Sequence, residues 1–159
     1  MTAELPSATK RVFEAARVLG LQLDIHQFPA GTKTAVDAAA AIGCPVAAIV
    51  KSLVFVVGEE PVLALVPGDH RLDLAKLEIA SGAAPARRAT LDEVRSTTGF
   101  AAGGTPPFGH TRPVRVFADE ALRRNDPVWA AGGTPTTVFP ISLVDLNRSA
   151  RPTWSDLSG

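Results

Sequence analysis

The spacing of hydrophobic positions changes several times along the chain, and each change predicts an element. Over residues 7–19, Val12, Phe13, Ala16 and Leu19 fall on one face, which predicts a helix capped by Ser7 and stopped by Gly20. Residues 21–28 alternate, with Leu21, Leu23 and Ile25 set against Gln22, Asp24 and His26. That period predicts a half-buried strand with His26 facing solvent. Thr34 and Asp37 open an alanine-rich helix to about Ile42, closed by Gly43. Its Ala38, Ala39, Ala40 and Ala41 permit close packing on a sheet. Cys44 and Pro45 then turn the chain; nothing beside the thiol lowers its pKa, so Cys44 reads as a small buried filler.

Residues 47–57 are β-formers and alanines broken by one charge, Lys51, and they end at Gly58. The run predicts a strand covered on both faces. Alternation places Lys51 on the face of Ile49, Leu53, Phe55 and Val57. An ammonium there is costly unless it finds a partner, reaches water or lines a cavity. Two readings stand: a lysine that snorkels out at the strand end, or one at a pocket wall facing an anion.

Residues 58–61 form a turn and 62–66 a second apolar strand, so the pair predicts a hairpin. Its far end brings the segment 67–71 back towards Lys51, with Asp69 and His70 in reach. Asp73 caps a short helix holding Leu74, Leu77 and Ile79, with Lys76 on another side. Thr90 and Glu93 form a capping box for a helix to about Thr98, with Leu91 and Val94 inward. Residues 103–109 contain three glycines and two prolines, which suits neither helix nor strand. Glycines let backbone amides approach a ligand, and prolines stiffen the loop. An ordinary connection fits that composition equally well. Residues 114–117 predict a strand, Asp119 caps a turn ending at Asn125, and 128–131 and 137–141 predict strands around a second glycine loop. Ser142 caps a last short helix. The chain 1–159 reads as one domain, with a core of about 5–148 and a loose tail at 149–159 whose Trp154 docks on the body. The pattern gives an α/β (α+β) class: a mixed, largely antiparallel, barrel-like sheet surrounded by short helices.

Composition narrows the function. Formal net charge is zero, which argues against a broad positive field coating nucleic acid. Twelve of the sixteen cations are arginine, the better phosphate fork, so a local basic patch remains open. Cys44 is the sole cysteine, and His26, His70 and His110 lack metal-ligand spacing, so neither a metal nor another cofactor is expected. The start of the chain carries no leader pattern, and no apolar run approaches a membrane span, which makes a cytoplasmic protein the expectation. No serine lies in a nucleophile-elbow setting, and neither glycine loop matches a Walker or dinucleotide fingerprint. A lysine and two glycine loops around a pocket suit acyl transfer or ester hydrolysis. They equally suit plain binding of a phosphate or carboxylate.

Four segments occur in order: Ile49-Val-Lys-Ser-Leu-Val-Phe, Leu65-Val-Pro-Gly-Asp-His-Arg-Leu-Asp, Gly103-Gly-Thr-Pro-Pro-Phe-Gly-His and Ala131-Gly-Gly-Thr-Pro. Together they resemble the YbaK / prolyl-tRNA synthetase insertion-domain family of trans-editing aminoacyl-tRNA deacylases, over about residues 5–148. The resemblance implies hydrolysis of a wrong amino acid from the 3′ end of a tRNA, most often tRNA(Pro) carrying alanine or cysteine. It implies Lys51 as the catalytic lysine and a substrate-holding loop at Gly103, Gly104, Thr105, Pro106 and Pro107. Asp69, His70, Gly132, Gly133 and Thr134 are further candidate substrate contacts. The implied partners are the mischarged tRNA and an aminoacyl-tRNA synthetase. Water or a substrate thiol is the implied nucleophile. Alanine-editing relatives often carry a histidine in the last glycine loop, where this chain has Thr134-Pro-Thr-Thr137. The alternative is a non-catalytic module that binds an aminoacyl-tRNA or nucleotide end on the same fold.

Overall fold

The longest strands are the two arms of the predicted hairpin. In the computed structural model, which describes residues 5–28 and 34–159, β2 (Val50–Val57) and β3 (Glu60–Pro67) pair antiparallel from Val57↔Glu60 to Val50↔Pro67. Ala47 and Ala48, expected in the first arm, lie instead in a 3-10 turn (Val46–Ala48). Pro45 enters that turn, and its carbonyl accepts the Ala48 N–H at 3.0 Å, so the strand starts only at the β-branched residues. β2 also pairs with β4 (Ala86–Arg88), while β5 (Arg115–Asp119) runs parallel to β3 and β8 (Thr153–Ser155) parallel to β5. The order is β4-β2-β3-β5-β8.

A second, antiparallel sheet has the order β1-β7-β6, from β1 (His26–Gln27), β6 (Val128–Ala131) and β7 (Thr137–Ile141). A parallel bridge between Ile49 and Trp129 joins the sheets at the entry to β2. The barrel-like sheet is thus two sheets in a mixed α+β fold. The hairpin is covered on both faces, as its run of β-formers predicts. Val50, Val54, Leu63 and Leu65 pack with Phe100, Phe108 and Phe139; on the other face Phe55, Val62 and Val66 pack with Leu77, Phe117 and Leu157.

Helices α1 (Ser7–Val18), α2 (Ala35–Ile42), α3 (Leu74–Ser81), α4 (Leu91–Thr98) and α5 (Leu143–Ala150) lie where the periodicity puts them. Side chains of Thr34, Asp73, Thr90 and Ser142 cap four of them. Ser7 does not cap α1. The Pro6 carbonyl already accepts the Lys10 N–H, so the helix starts one residue earlier and takes Ser7 inside. Leu19, Leu74, Ile79 and Leu91 are exposed, because helices of two or three turns offer the sheet only a narrow stripe, such as Leu77 or Val94. Likewise Ala38 and Ala39 of α2 are buried while Ala40 and Ala41 are exposed. Of residues 21–28 only His26 and Gln27 pair, and His26 is half-buried, its ring edge-on to Trp129 at 5.1 Å.

Asp119 does not cap the short turn that follows it, since its carboxylate is engaged by Leu157 and Ser158. The tail is correspondingly not loose. The open edge of β5 takes up β8, and Leu157 and Ser158 are buried. Among the described residues no helix is long and apolar enough to cross a membrane. Residues 1–4, read above for a leader pattern, lie outside the described ones.

Candidate active site

Lys51 is the second residue of β2, paired with Val66 of β3. The turn after β3 therefore closes over it. His70 N–H donates to the Pro67 carbonyl at 3.0 Å, and Gly68 N–H to the Ile49 carbonyl at 2.8 Å. This geometry aims the His70 carbonyl at Lys51, whose Nζ donates to it. Half-buried, the ammonium is held below the ordinary lysine range by burial first and then by Arg71. Asp69 offsets part of this, and Arg88 adds to it.

Two hollows meet at Lys51. One is a groove of about 640 Å³ lined by Lys51, Asp69, His70, Arg71 and Arg88 over Leu53 and Phe55. Among the described residues its cations outnumber its carboxylates by three to one, which suits an anion. The other is a cavity of about 290 Å³ between β2, α2 and the second sheet. Ala35, Ala38, Ile49, Trp129 and Val138 supply apolar wall; Thr34, Ser52, Gly103, Thr105 and Thr137 supply polar or backbone surface. Among the described residues, Lys51 is the charged residue common to both hollows. The Ser52 hydroxyl is buried at the cavity wall with no hydrogen-bond partner among the described residues. An unmet hydroxyl of this kind costs about 1–3 kcal/mol.

The rim comes from the two glycine loops, which touch through their backbones. Gly133 N–H donates to the Gly104 carbonyl at 3.0 Å. A Cβ at Gly104 would meet the Gly133 carbonyl oxygen at 2.7 Å, so this approach requires glycine. Gly133 itself has φ +105° and packs on Ala8, which again excludes a side chain. Thr105 Oγ1 donates to the Ala101 carbonyl at 3.1 Å. His110 Nε2 donates to the Pro106 carbonyl at 2.7 Å. Burial pushes the His110 imidazolium down, and that hydrogen bond partly offsets it. In the second loop Thr137 is the staple: its Oγ1 lies 2.8 Å from Thr134 Oγ1 and 3.3 Å from Thr9 Oγ1.

Of the residues singled out from the sequence, Lys51, Gly103 and Thr105 line the cavity, and Lys51, Asp69 and His70 line the groove. Gly104, Pro106, Pro107, Gly132, Gly133 and Thr134 are absent from both linings. Trp129, Ser52, Arg71 and Arg88 were not singled out singly. A signal existed for Trp129, which alternates with the buried Val128 and Ala130 and so had to face elsewhere. Arg88 differs from Arg87, whose guanidinium is taken by Glu93. Cys44 is half-buried rather than fully buried, and burial raises its thiol pKa. Among the described residues no three His, Cys, Asp or Glu side chains gather where they could hold a metal ion.

Comparison with known proteins places these features in a group. The profile of the family described as "Aminoacyl-tRNA editing domain" matches residues 29–149. A proline–tRNA ligase of Nitratidesulfovibrio vulgaris is 39% identical over 120 residues, which is 76% of this chain and 21% of that protein. The chain thus spans about a fifth of the length of that ligase. The uncharacterized protein YwhH of Bacillus subtilis is 30% identical over 136 residues, covering 84% of this chain and 86% of YwhH. A crystal structure described as a candidate trans-editing enzyme for prolyl tRNA synthetase superposes with a TM-score of 0.94 at 43% identity. It covers 98% of this chain and 99% of that one.

Proposed function

Because the chain belongs to the aminoacyl-tRNA editing domain family, we propose that it acts in trans as a deacylase, hydrolysing the ester of a mischarged tRNA. The substrate is tRNA(Pro) carrying cysteine or alanine, met in the cytoplasm and handed on by, or intercepted from, an aminoacyl-tRNA synthetase. The observation that carries this reading is the position of Lys51 between an apolar cavity and a cationic groove. An aminoacyl-tRNA end has the same two parts: a small side chain on an ester, and a phosphate one nucleoside away.

In this reading the aminoacyl group enters the cavity against Ile49 and Trp129, beneath Gly103 and Thr105. The Ser52 hydroxyl gains the polar partner it lacks. The terminal phosphate lies in the groove, near Arg71 and Arg88. Water adds to the ester carbonyl, the bond to the ribose oxygen breaks, and that oxygen takes up a proton. Free amino acid and tRNA result. Lys51 holds the terminus in place and, as a cation, stabilises negative charge on the carbonyl oxygen, with backbone amides of the 103–105 loop sharing that task. One extra methylene-sized group changes binding in a small cavity by only about 1–3 kcal/mol, and cysteine exceeds alanine by a single thiol, so both are candidates.

The test is hydrolysis of a panel of mischarged tRNAs by wild type and Lys51→Ala. The variant is expected to lose at least about a hundredfold in kcat/KM, the scale of a removed transition-state contact. Hydrolysis at wild-type level would remove Lys51 from the reaction. A second reading is favoured by Lys51 being, among the described residues, the sole charged side chain that lines the cavity, with no described histidine or carboxylate there as a general base. It makes the chain a binding module. Tight binding of the charged tRNA end without turnover on any member of the panel is its signature.

A further inference from the structure

The matched residues stop at 149, yet the tail beyond them reaches back to the turn that holds Lys51. Asp119, at the end of β5, is 2% exposed. Its carboxylate accepts the Leu157 N–H at 3.3 Å and the Ser158 hydroxyl. A carboxylate only accepts, so the one hydroxyl proton of Ser158 is committed to Asp119. The Ser158 oxygen then accepts from His70 Nδ1, 2.7 Å away. This chain of donors makes neutral His70 the Nδ1–H tautomer, with Nε2 bare and 3.7 Å from Asp69 Oδ1.

The tail backbone holds the same turn from the other side. Leu72 and Ser158 form an antiparallel bridge, and Asp73 N–H donates to the Leu157 carbonyl at 2.8 Å. Lys76 Nζ donates to the Ser158 carbonyl at 2.8 Å. The ring of His70 and the backbone two and three residues after it are therefore both tied to residues 157–158, close to the His70 carbonyl that accepts from Lys51 Nζ.

We propose that Ser158, acting through His70, is a positioning residue for Lys51. The tail is a clamp that aims the His70 carbonyl and so fixes where the ammonium sits between cavity and groove. Neither Ser158 nor Asp119 touches the reacting atoms. The activity part of this proposal rests on the deacylase reading; the tautomer part does not.

The experiment uses the full chain, uniformly 15N-labelled, and reads His70 ring nitrogens by NMR beside deacylation kinetics. At a pH where the ring is neutral, wild type is expected to show protonated Nδ1 and bare Nε2. Ser158→Ala is expected to blur that tautomer and lower kcat about tenfold, a small misplacement of a catalytic group, with KM nearly unchanged. Ser158→Thr keeps the hydroxyl and is expected to restore kcat to within about threefold of wild type. Asp119→Asn reverses the donors: its amide donates to Ser158, whose proton passes to His70 Nδ1, so the ring is expected to become the Nε2–H form. A wild-type Nε2–H ring overturns the clamp. So does wild-type kcat in Ser158→Ala, or equal impairment of Ser158→Thr and Ser158→Ala. If wild type deacylates nothing, the functional reading falls and the ring signals alone decide the clamp.

Discussion

Lys51 stands where an ammonium is disfavoured, and among the described residues its hydrogen-bond partner is the His70 carbonyl, not a carboxylate. Burial, Arg71 and Arg88 all push against its charge, with Asp69 offsetting part. Its side-chain titration, followed by NMR, is therefore expected to have a midpoint below the ordinary value of about 10.4. Arg71→Ala removes a like charge and is expected to raise that midpoint. The sign matters for activity: a step that needs the cation declines with rising pH sooner than an exposed lysine would allow. At this scale the sequence was informative where the argument was local. Alternation put Lys51 beside Leu53 and Phe55, and hairpin pairing brought His70 to it. Alternation sets Trp129 apart from Val128 and Ala130, but that Trp129 and Arg88 meet the candidate site depends on where a second sheet and a short edge strand join β2.

Among the elements, the two glycine loops work as one part. The 103–105 loop is shaped by contact with the 132–137 loop, so neither can be altered alone. Gly104→Ala puts a methyl against backbone atoms of residues 133 and 134 at 2.7–2.8 Å. It is expected to cost about 1–3 kcal/mol in urea unfolding and to depress deacylation with it. Capping signals were read correctly at Thr34, Asp73, Thr90 and Ser142, since each is settled within four residues. The capping box of α4 is further secured by Arg87 and the Thr90 N–H, which hold the Glu93 carboxyl down at about 2. Contact between the loops was beyond such reasoning, because it joins segments about thirty residues apart through backbone alone.

For the molecule as a whole, the tail is where the reading from sequence was furthest off. Its polar and charged residues resemble surface, and the single deeply apolar one, Leu157, is too isolated to announce a strand partner. Yet Leu157 fills the core beneath the hairpin, beside Phe117 and Leu77. Leu157→Ala is expected to lower stability by about 2–5 kcal/mol, measured by thermal or urea unfolding. The two sheets and their helices were predictable as a class, since alternation and capping fix elements. The split into two sheets joined at Ile49 and Trp129 was not, because it rests on one bridge between distant residues. Gly159 N–H lies 3.4 Å from the Arg71 carbonyl, at the rim of the cationic groove. A bulky peptide joined at Gly159 therefore emerges beside the groove proposed for the terminal phosphate. Deacylation that is poor with such an extension and returns on its removal is the expected signature of that placement.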